Sequence, residues 1–204
     1  LGSVALLALA NPAHAAQSYE NCTGFITTLP TVISTPGTWC FNQNLTTAIA
    51  TGNGITVSAN NVTIDGNDFA MSGTAGLSNR VFGILATDRL NVTVRNLNVS
   101  GFYYGLEFIG ASGGGHIVEH NRFVGNTYIG VRVEGDGSVV RHNQVLDSGG
   151  TTRVKDAYGI YTTYSVDSLD NTVSGVMANP GFNGNAVGIE SVSNPHGSIG
   201  TNRV

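Results

Sequence analysis

A short phrase returns six times along the chain: an apolar residue, two polar ones, usually an Asn, one polar residue, then another apolar residue. It reads Ile64…Asn67…Phe69, Val94…Leu97…Val99, Val118…Asn121…Phe123, Val140…Asn143…Val145, Ser168…Asn171…Val173 and Ile199…Asn202…Val204. Asn is missing from the central slot only at Leu97. Upstream of each copy stands a Gly followed by an aliphatic residue: Gly54-Ile55, Gly83-Ile84, Gly105-Leu106, Gly130-Val131, Gly159-Ile160 and Gly188-Ile189. Two strand-forming runs and a turn Asn, repeated every 22 to 31 residues, predict an all-β solenoid whose neighbouring coils bury each other's apolar face.

Strand alternation after each Gly points Ile55, Ile84, Leu106, Val131, Ile160 and Ile189 inward. The intervening residues Thr56, Leu85, Glu107, Arg132, Tyr161 and Glu190 then form an outward row at about the 4.8 Å spacing of parallel strands. A second outward row, Asp65, Arg95, Glu119 and Arg141, followed by Leu169 and Gly200, alternates in sign and reads as a structural charge ladder. In the turn slot, Asn67, Asn121, Asn143, Asn171 and Asn202 are expected to hydrogen-bond from coil to coil and to tolerate a left-handed backbone. The same economy explains the sequons at Asn21, Asn44, Asn61, Asn91 and Asn98, because Asn and Thr are residues this architecture uses anyway.

Charged residues make up only 11% of the chain and Gly numbers 28, which suits short strands and turns rather than helices. The net charge of −4 comes with no Lys/Arg run, so nucleic acid and anionic membrane are poor partners. The apolar run 1–10 followed by Ala13-His14-Ala15 has the form of a partial signal peptide over 1–15, too short to span a bilayer, and predicts a secreted or periplasmic chain with no transmembrane segment after cleavage. The two cysteines, Cys22 and Cys40, then read as a disulfide worth about 3 kcal/mol in the chain-entropy account. They fall in a stretch, 16–50, expected to cap the coils of 51–204, and both ends of the sequence look cut short.

Cys22…Leu29-Pro30…Pro36-Gly37-Thr38-Trp39-Cys40, Ile55-Thr56-Val57…Asn61-Val62-Thr63-Ile64-Asp65 and the repeated Gly-Ile and Val-x-x-Asn units are similar to those of exported bacterial right-handed parallel β-helix proteins. The resemblance is to the pectate-lyase-like superfamily and covers about residues 20 to 204. It implies a single-stranded right-handed parallel β-helix. Relatives act on polysaccharides as lyases, hydrolases or epimerases, serve as adhesins or receptor binders, or assist copper-centre assembly in the periplasm.

A lyase or epimerase needs a base beside a uronate carboxylate, often with calcium as cofactor. Arg132, Glu107 and Glu190 are the catalytic candidates, with Tyr161, Glu134, Arg153, Lys155 and Asp156 as substrate-binding ones. Tyr103, Tyr104, Tyr128, Tyr158 and Tyr164 are candidate sugar platforms, and the loop 147–156 a candidate groove wall. No Asp-rich calcium cluster and no hydrolase pair of carboxylates is evident. His116-Ile117-Val118-Glu119-His120 has the letters of a zinc-peptidase string, but lies where a strand and turn are expected instead of the helix that chemistry needs. His120 and His142 hold equivalent places in adjacent coils and are weak metal candidates. The function expected is a monomeric protein binding a polysaccharide or cell-envelope glycan, with lyase-type chemistry if catalytic. A structural or adhesive β-helix and a periplasmic metal-handling accessory are the alternatives.

Overall fold

The computed structural model describes residues 19–74 and 76–204; the signal-peptide expectation over 1–15 lies outside the described residues. The chain forms a parallel β-solenoid with no helix among the described residues. Three sheets of eight, six and seven strands run along it, and each full coil gives one short strand to each. No helix of the described residues is long and apolar enough to cross a membrane.

The fifth coil shows the pattern: Ile129–Glu134 lies in the seven-stranded sheet, Ser138–Arg141 in the eight-stranded sheet and Gln144–Leu146 in the six-stranded sheet. The sequence predicted two strands and a turn per coil. The Asn turn instead separates two strands, so three faces enclose the core. Ile55, Ile84, Leu106, Val131 and Ile160 are all fully buried in a single apolar column, joined by Val94, Val118, Val140 and the ring of Phe123. Ile189, expected in the same column, is only half-buried because no further coil covers it in the described chain.

Residues 24–47 already belong to the sheets. Gly24–Ile26 and Gly37–Phe41 extend the eight-stranded sheet, Thr31–Ile33 the seven-stranded one and Leu45–Thr47 the six-stranded one. The stretch expected as a cap is therefore continuous with the coils. Cys22 and Cys40 form the disulfide, with Cα atoms 5.8 Å apart, and tie the entering chain to the second strand of the eight-stranded sheet.

The left-handed residue of each coil comes one place before the Asn slot: Asn96, His120, His142, Asp170 and Thr201 all have φ between 53° and 55°. The slot Asn then reaches back one coil. Asn143 Oδ1 accepts the backbone N–H of Asn121 at 3.0 Å while its Nδ2 donates to the Val118 carbonyl at 2.8 Å. Asn171 does the same for Asn143 and Val140, Asn121 for Leu97 and Val94, and Asn202 for Asn171 and Ser168. Nδ2 of the first three along the chain also donates to the next amide oxygen, at 3.1 Å from Asn121 to Asn143 and 3.0 Å from Asn143 to Asn171 and from Asn171 to Asn202.

The missing Asn at Leu97 now has a reason. The corner before it has an enlarged turn, with positive φ at both Asn67 and Asp68, and the strand Ala70–Gly73 pairs Met71 with Val99. Met71, not Phe69, thus closes the first phrase on the inside. The Asn67 N–H finds its acceptor locally in Asp65 Oδ1 at 3.1 Å, so Leu97 need not supply one. Asn67 itself donates to the Phe41 carbonyl at 3.1 Å.

The recurring glycines answer to close approach. A Cβ on Gly54, Gly83, Gly105, Gly130 or Gly159 would strike the carbonyl oxygen of the next glycine in the column. Alternation also reverses there: Val81 and Ile84 both face the core, while Phe82 and Leu85 on the same strand are half-exposed. Each such strand thereby presents two outward positions on either side of a Gly-aliphatic pair, which becomes important for the site.

His116 is buried against Phe108, with ring centroids 4.8 Å apart, and its Nδ1 accepts the Val92 N–H at 3.3 Å. It belongs to the packing and is turned away from the exposed His120, so the zinc-peptidase string forms no pair.

Two outcomes are expected. Asn143→Leu leaves the Asn121 N–H and the Val118 carbonyl buried without their partner, and should lower the free energy of unfolding by about 2–5 kcal/mol, read from denaturant midpoints. Burial pushes the His116 imidazole down to about 4. The unfolded chain therefore takes up a proton near pH 6.5 that the folded chain refuses until about pH 4, so stability falls with acid across that window, by roughly 3 kcal/mol for this group, and is fully present above it. His116→Asn, whose amide oxygen can take the Val92 N–H, should flatten that window relative to the parent in urea titrations at a series of pH values.

Candidate functional site

The outer surface of the seven-stranded sheet carries the predicted row in register. Thr56, Leu85, Glu107, Arg132, Tyr161 and Glu190 are direct partners on successive strands. Arg132 is the hub. Its two terminal nitrogens donate to Glu107 Oε1 at 3.0 Å and Glu134 Oε1 at 2.6 Å, and its Cζ lies 5.6 Å from the centre of the Tyr161 ring. Nε is buried without a hydrogen-bond partner.

The row expected to face outward is not uniformly open. Glu107 is 3% exposed, sealed beneath the guanidinium and the neighbouring rings, and burial raises its pKa against the opposing pull of Arg132. For Arg132, burial works against the charge, yet the hydrogen bond and charge of Glu134 and the charge of Glu107 outweigh it, and the guanidinium holds its proton above the ordinary arginine range. In this arrangement Arg132 is a clamped cation rather than a free base. The cluster of one Arg and two Glu is an ion triad whose carboxylates are spoken for.

Beside this row runs another, three residues earlier on each strand: Phe82, Tyr104, Ile129 and Tyr158 are likewise register partners. With Tyr103, Tyr128 and Tyr161 they form a second apolar cluster, separate from the core. Phe82 stacks on Tyr104 at 5.0 Å and 10°, Tyr128 meets Tyr158 edge-on at 6.0 Å, and Tyr158 meets Tyr161 at 5.3 Å. Tyr103 and Tyr104, expected as exposed platforms, are buried; Phe82, Tyr128, Tyr158 and Tyr161 keep part of their rings open. Tyr164 is exposed but beyond the far end of its strand, in a hollow with Gly110 and Asp136, outside the cluster. Burial and the nearby charges of Glu190 and Asp156 push the Tyr158 hydroxyl up to about 12.

The loop 147–156 does not project as a free wall. It folds back along the solenoid: Thr151 N donates to the Thr127 carbonyl at 2.8 Å, Thr151 Oγ1 to the Leu77 carbonyl at 2.8 Å, and Arg153 to the Ser78 carbonyl at 3.0 Å. Two loops 74 residues apart in sequence thus meet over the shorter coils between them and border the aromatic cluster. Asp156 is engaged with the Asn185 N–H at 2.8 Å, whereas Lys155 is exposed. Arg80, whose Cζ lies 5.4 Å from the Phe82 ring centre, adds a third cation beside Arg153 and Lys155.

Arg80 and Phe82 went unnoticed in the sequence because the pleat reversal at Gly83 assigns Phe82 to the wrong face. Asn126 was also missed. Fully buried at the corner leading into this sheet, it accepts the Phe102 N–H at 3.1 Å and donates to the Val99 carbonyl at 3.2 Å, with Gly125 before it as the only local signal.

The second outward row resolves into two separate ion pairs, Arg95 with Asp65 at 2.8 Å and Arg141 with Glu119 at 2.7 Å, both arginines well exposed. Their carboxylates are largely covered, and Asp65 also accepts the Asn67 N–H and the Asn96 amide, both at 3.1 Å. His120 and His142 stack at 5.0 Å on the corner past these pairs. No three His, Cys, Asp or Glu side chains among the described residues converge as a metal-holding group.

Comparison of the chain with protein-family models, curated proteins and solved structures finds no match.

The triad predicts a diagnostic coupling. Arg132→Met strands a buried Glu107 and should cost about 3–5 kcal/mol at neutral pH. Glu107→Gln added to it should recover most of that loss, and the penalty of the single variant should shrink as acid protonates Glu107, both read from thermal or urea unfolding.

Proposed function

We propose that this protein is an exported, monomeric right-handed β-helix of the pectate-lyase-like type whose seven-stranded face binds a polysaccharide or cell-envelope glycan. The observation that carries the reading is the ladder of half-open rings, Phe82, Tyr158 and Tyr161 with Tyr128, bordered by the joined loops and flanked by Arg80, Lys155 and Glu190. Amphipathic rings on a rigid sheet suit the apolar faces of sugars, and charged groups at the rim suit their substituents. Export is supported by the Ala13-x-Ala15 pattern together with the disulfide.

Within this reading Arg132 positions the face and does not carry catalysis. Proton abstraction by a guanidinium held by two carboxylates would first require breaking the triad. Glu107 is too enclosed to hold calcium. Recognition without cleavage is therefore the function the geometry favours over lyase or epimerase chemistry.

Isothermal titration against a panel of uronate-bearing and neutral polysaccharides, with and without calcium, tests it. Binding should weaken about two- to tenfold with Tyr158→Ala or Tyr161→Ala, with unfolding still cooperative and its midpoint well above the assay temperature. Unsaturated sugar products from the parent, lost in Arg132→Lys, would establish lyase chemistry in place of simple recognition. Failure to bind any member of the panel would leave the structural or adhesive β-helix.

A further inference from the structure

We propose that His120 and His142 form an open binding site for a borderline divalent transition ion, Cu²⁺ or Zn²⁺, on the corner between the eight-stranded and six-stranded sheets. The backbone places both residues identically. The His120 N–H donates to the Arg141 carbonyl and the His142 N–H to the Leu169 carbonyl, each just before the equivalent residue of the next coil. Their φ values are 55° and 54°. The rings project from neighbouring coils, nearly parallel at 17°, with centroids 5.0 Å apart.

Both rings are exposed, and among the described residues neither imidazole enters a hydrogen bond. They contrast with His116, whose ring is buried and hydrogen-bonded. The two imidazoles overhang a polar hollow of about 260 Å³ whose walls include Asp68, Asn98, Arg122 and Gln144. Asp170 holds the same corner position one coil further on, its N–H donating to the Gly200 carbonyl. The carboxylate of Asp68 offsets the charge of Arg122 near an incoming cation.

Distance and chemistry select the ion. Metal–imidazole bonds of about 2.0–2.1 Å require two nitrogens sharing an ion to approach within about 4 Å. Unrestrained rings on adjacent coils reach that by turning about their terminal torsions, without moving the backbone. Nitrogen donors favour copper and zinc over the hard ions magnesium and calcium, copper most strongly. With only two side-chain ligands, water fills the other positions. The site therefore takes up and releases its ion, unlike a closed structural site, and it is independent of the glycan face on another sheet.

The test is titration of the full chain with Cu²⁺ alone, followed by calorimetry and electron paramagnetic resonance, on the parent, His120→Asn, His142→Asn and the double variant. Asn tolerates the left-handed backbone at both positions, so unfolding midpoints should be unchanged. The parent should bind one equivalent with micromolar affinity and show coupling to two imidazole nitrogens. Each single variant should lose at least about tenfold in affinity, no less than outer-shell substitutions cost at metal sites, and show one nitrogen. Zn²⁺ should compete, and excess Ca²⁺ or Mg²⁺ should not. Unchanged affinity in the double variant, placing the ion elsewhere in the chain, would overturn the proposal, as would absence of Cu²⁺ binding by the parent.

Discussion

Four successive corners of this solenoid leave a backbone N–H and a carbonyl without strand partners, and one asparagine from the next coil satisfies both. An amide is suited to this because it presents an acceptor and a donor side by side, matching the two backbone groups. Asn143, 1% exposed, engages backbone and side-chain groups of the coil before it and the next amide after it. The geometry fixes which residue of each coil stands above which, and so fixes the register of all three sheets. Leu97 shows the rule by its exception: where Asp65 satisfies the preceding corner locally, an apolar side chain can take the slot.

Register then determines the working surface. On the seven-stranded sheet the glycine column lets backbones approach where any Cβ would collide, and the pleat reversal at those glycines turns two side chains of each strand outward. Repetition converts this local feature into two vertical rows, one aromatic and one charged. The aromatic row is sufficiently enclosed to form its own cluster outside the core, and the loops around Leu77 and Thr151 close its border. A rigid scaffold positioned from within thus displays both rows on one face, and Arg132 with Glu107 links neighbouring coils across it.

Charge plays unequal parts in this arrangement. In the Asp65–Arg95 and Glu119–Arg141 pairs the arginines lie in solvent over largely covered carboxylates, and Asp65 also accepts the Asn67 N–H and the Asn96 amide. The Arg132 triad is different, because Glu107 has lost nearly all contact with water and depends on the guanidinium for its ionised state. Arg132 is consequently tied into the fold's electrostatics, which is what removes it from the role of a mobile base. The corner histidines present the opposite case, two ionisable rings on which the packing makes no demand.

The sequence by itself determined the solenoid, the inward apolar column and the coil register, because these follow from short-range periodicity repeated many times. The recurrence of Gly-aliphatic pairs and of Asn171 or Asn143 in the turn slot is one local solution written out again in each coil. It also placed Glu107, Arg132 and Tyr161 on one row, since strand parity and coil spacing suffice for that. Only the tertiary structure decided that the Asn turn divides two strands, that Met71 rather than Phe69 closes the first phrase, and that Phe82 belongs to the outer surface. Those depend on turn length and on a pleat reversal imposed by backbone contact between coils. It alone also decided that Glu107 is enclosed while Lys155 is open, and that Thr151 reaches Leu77, because burial and loop closure arise from residues distant in the chain that no local pattern brings together.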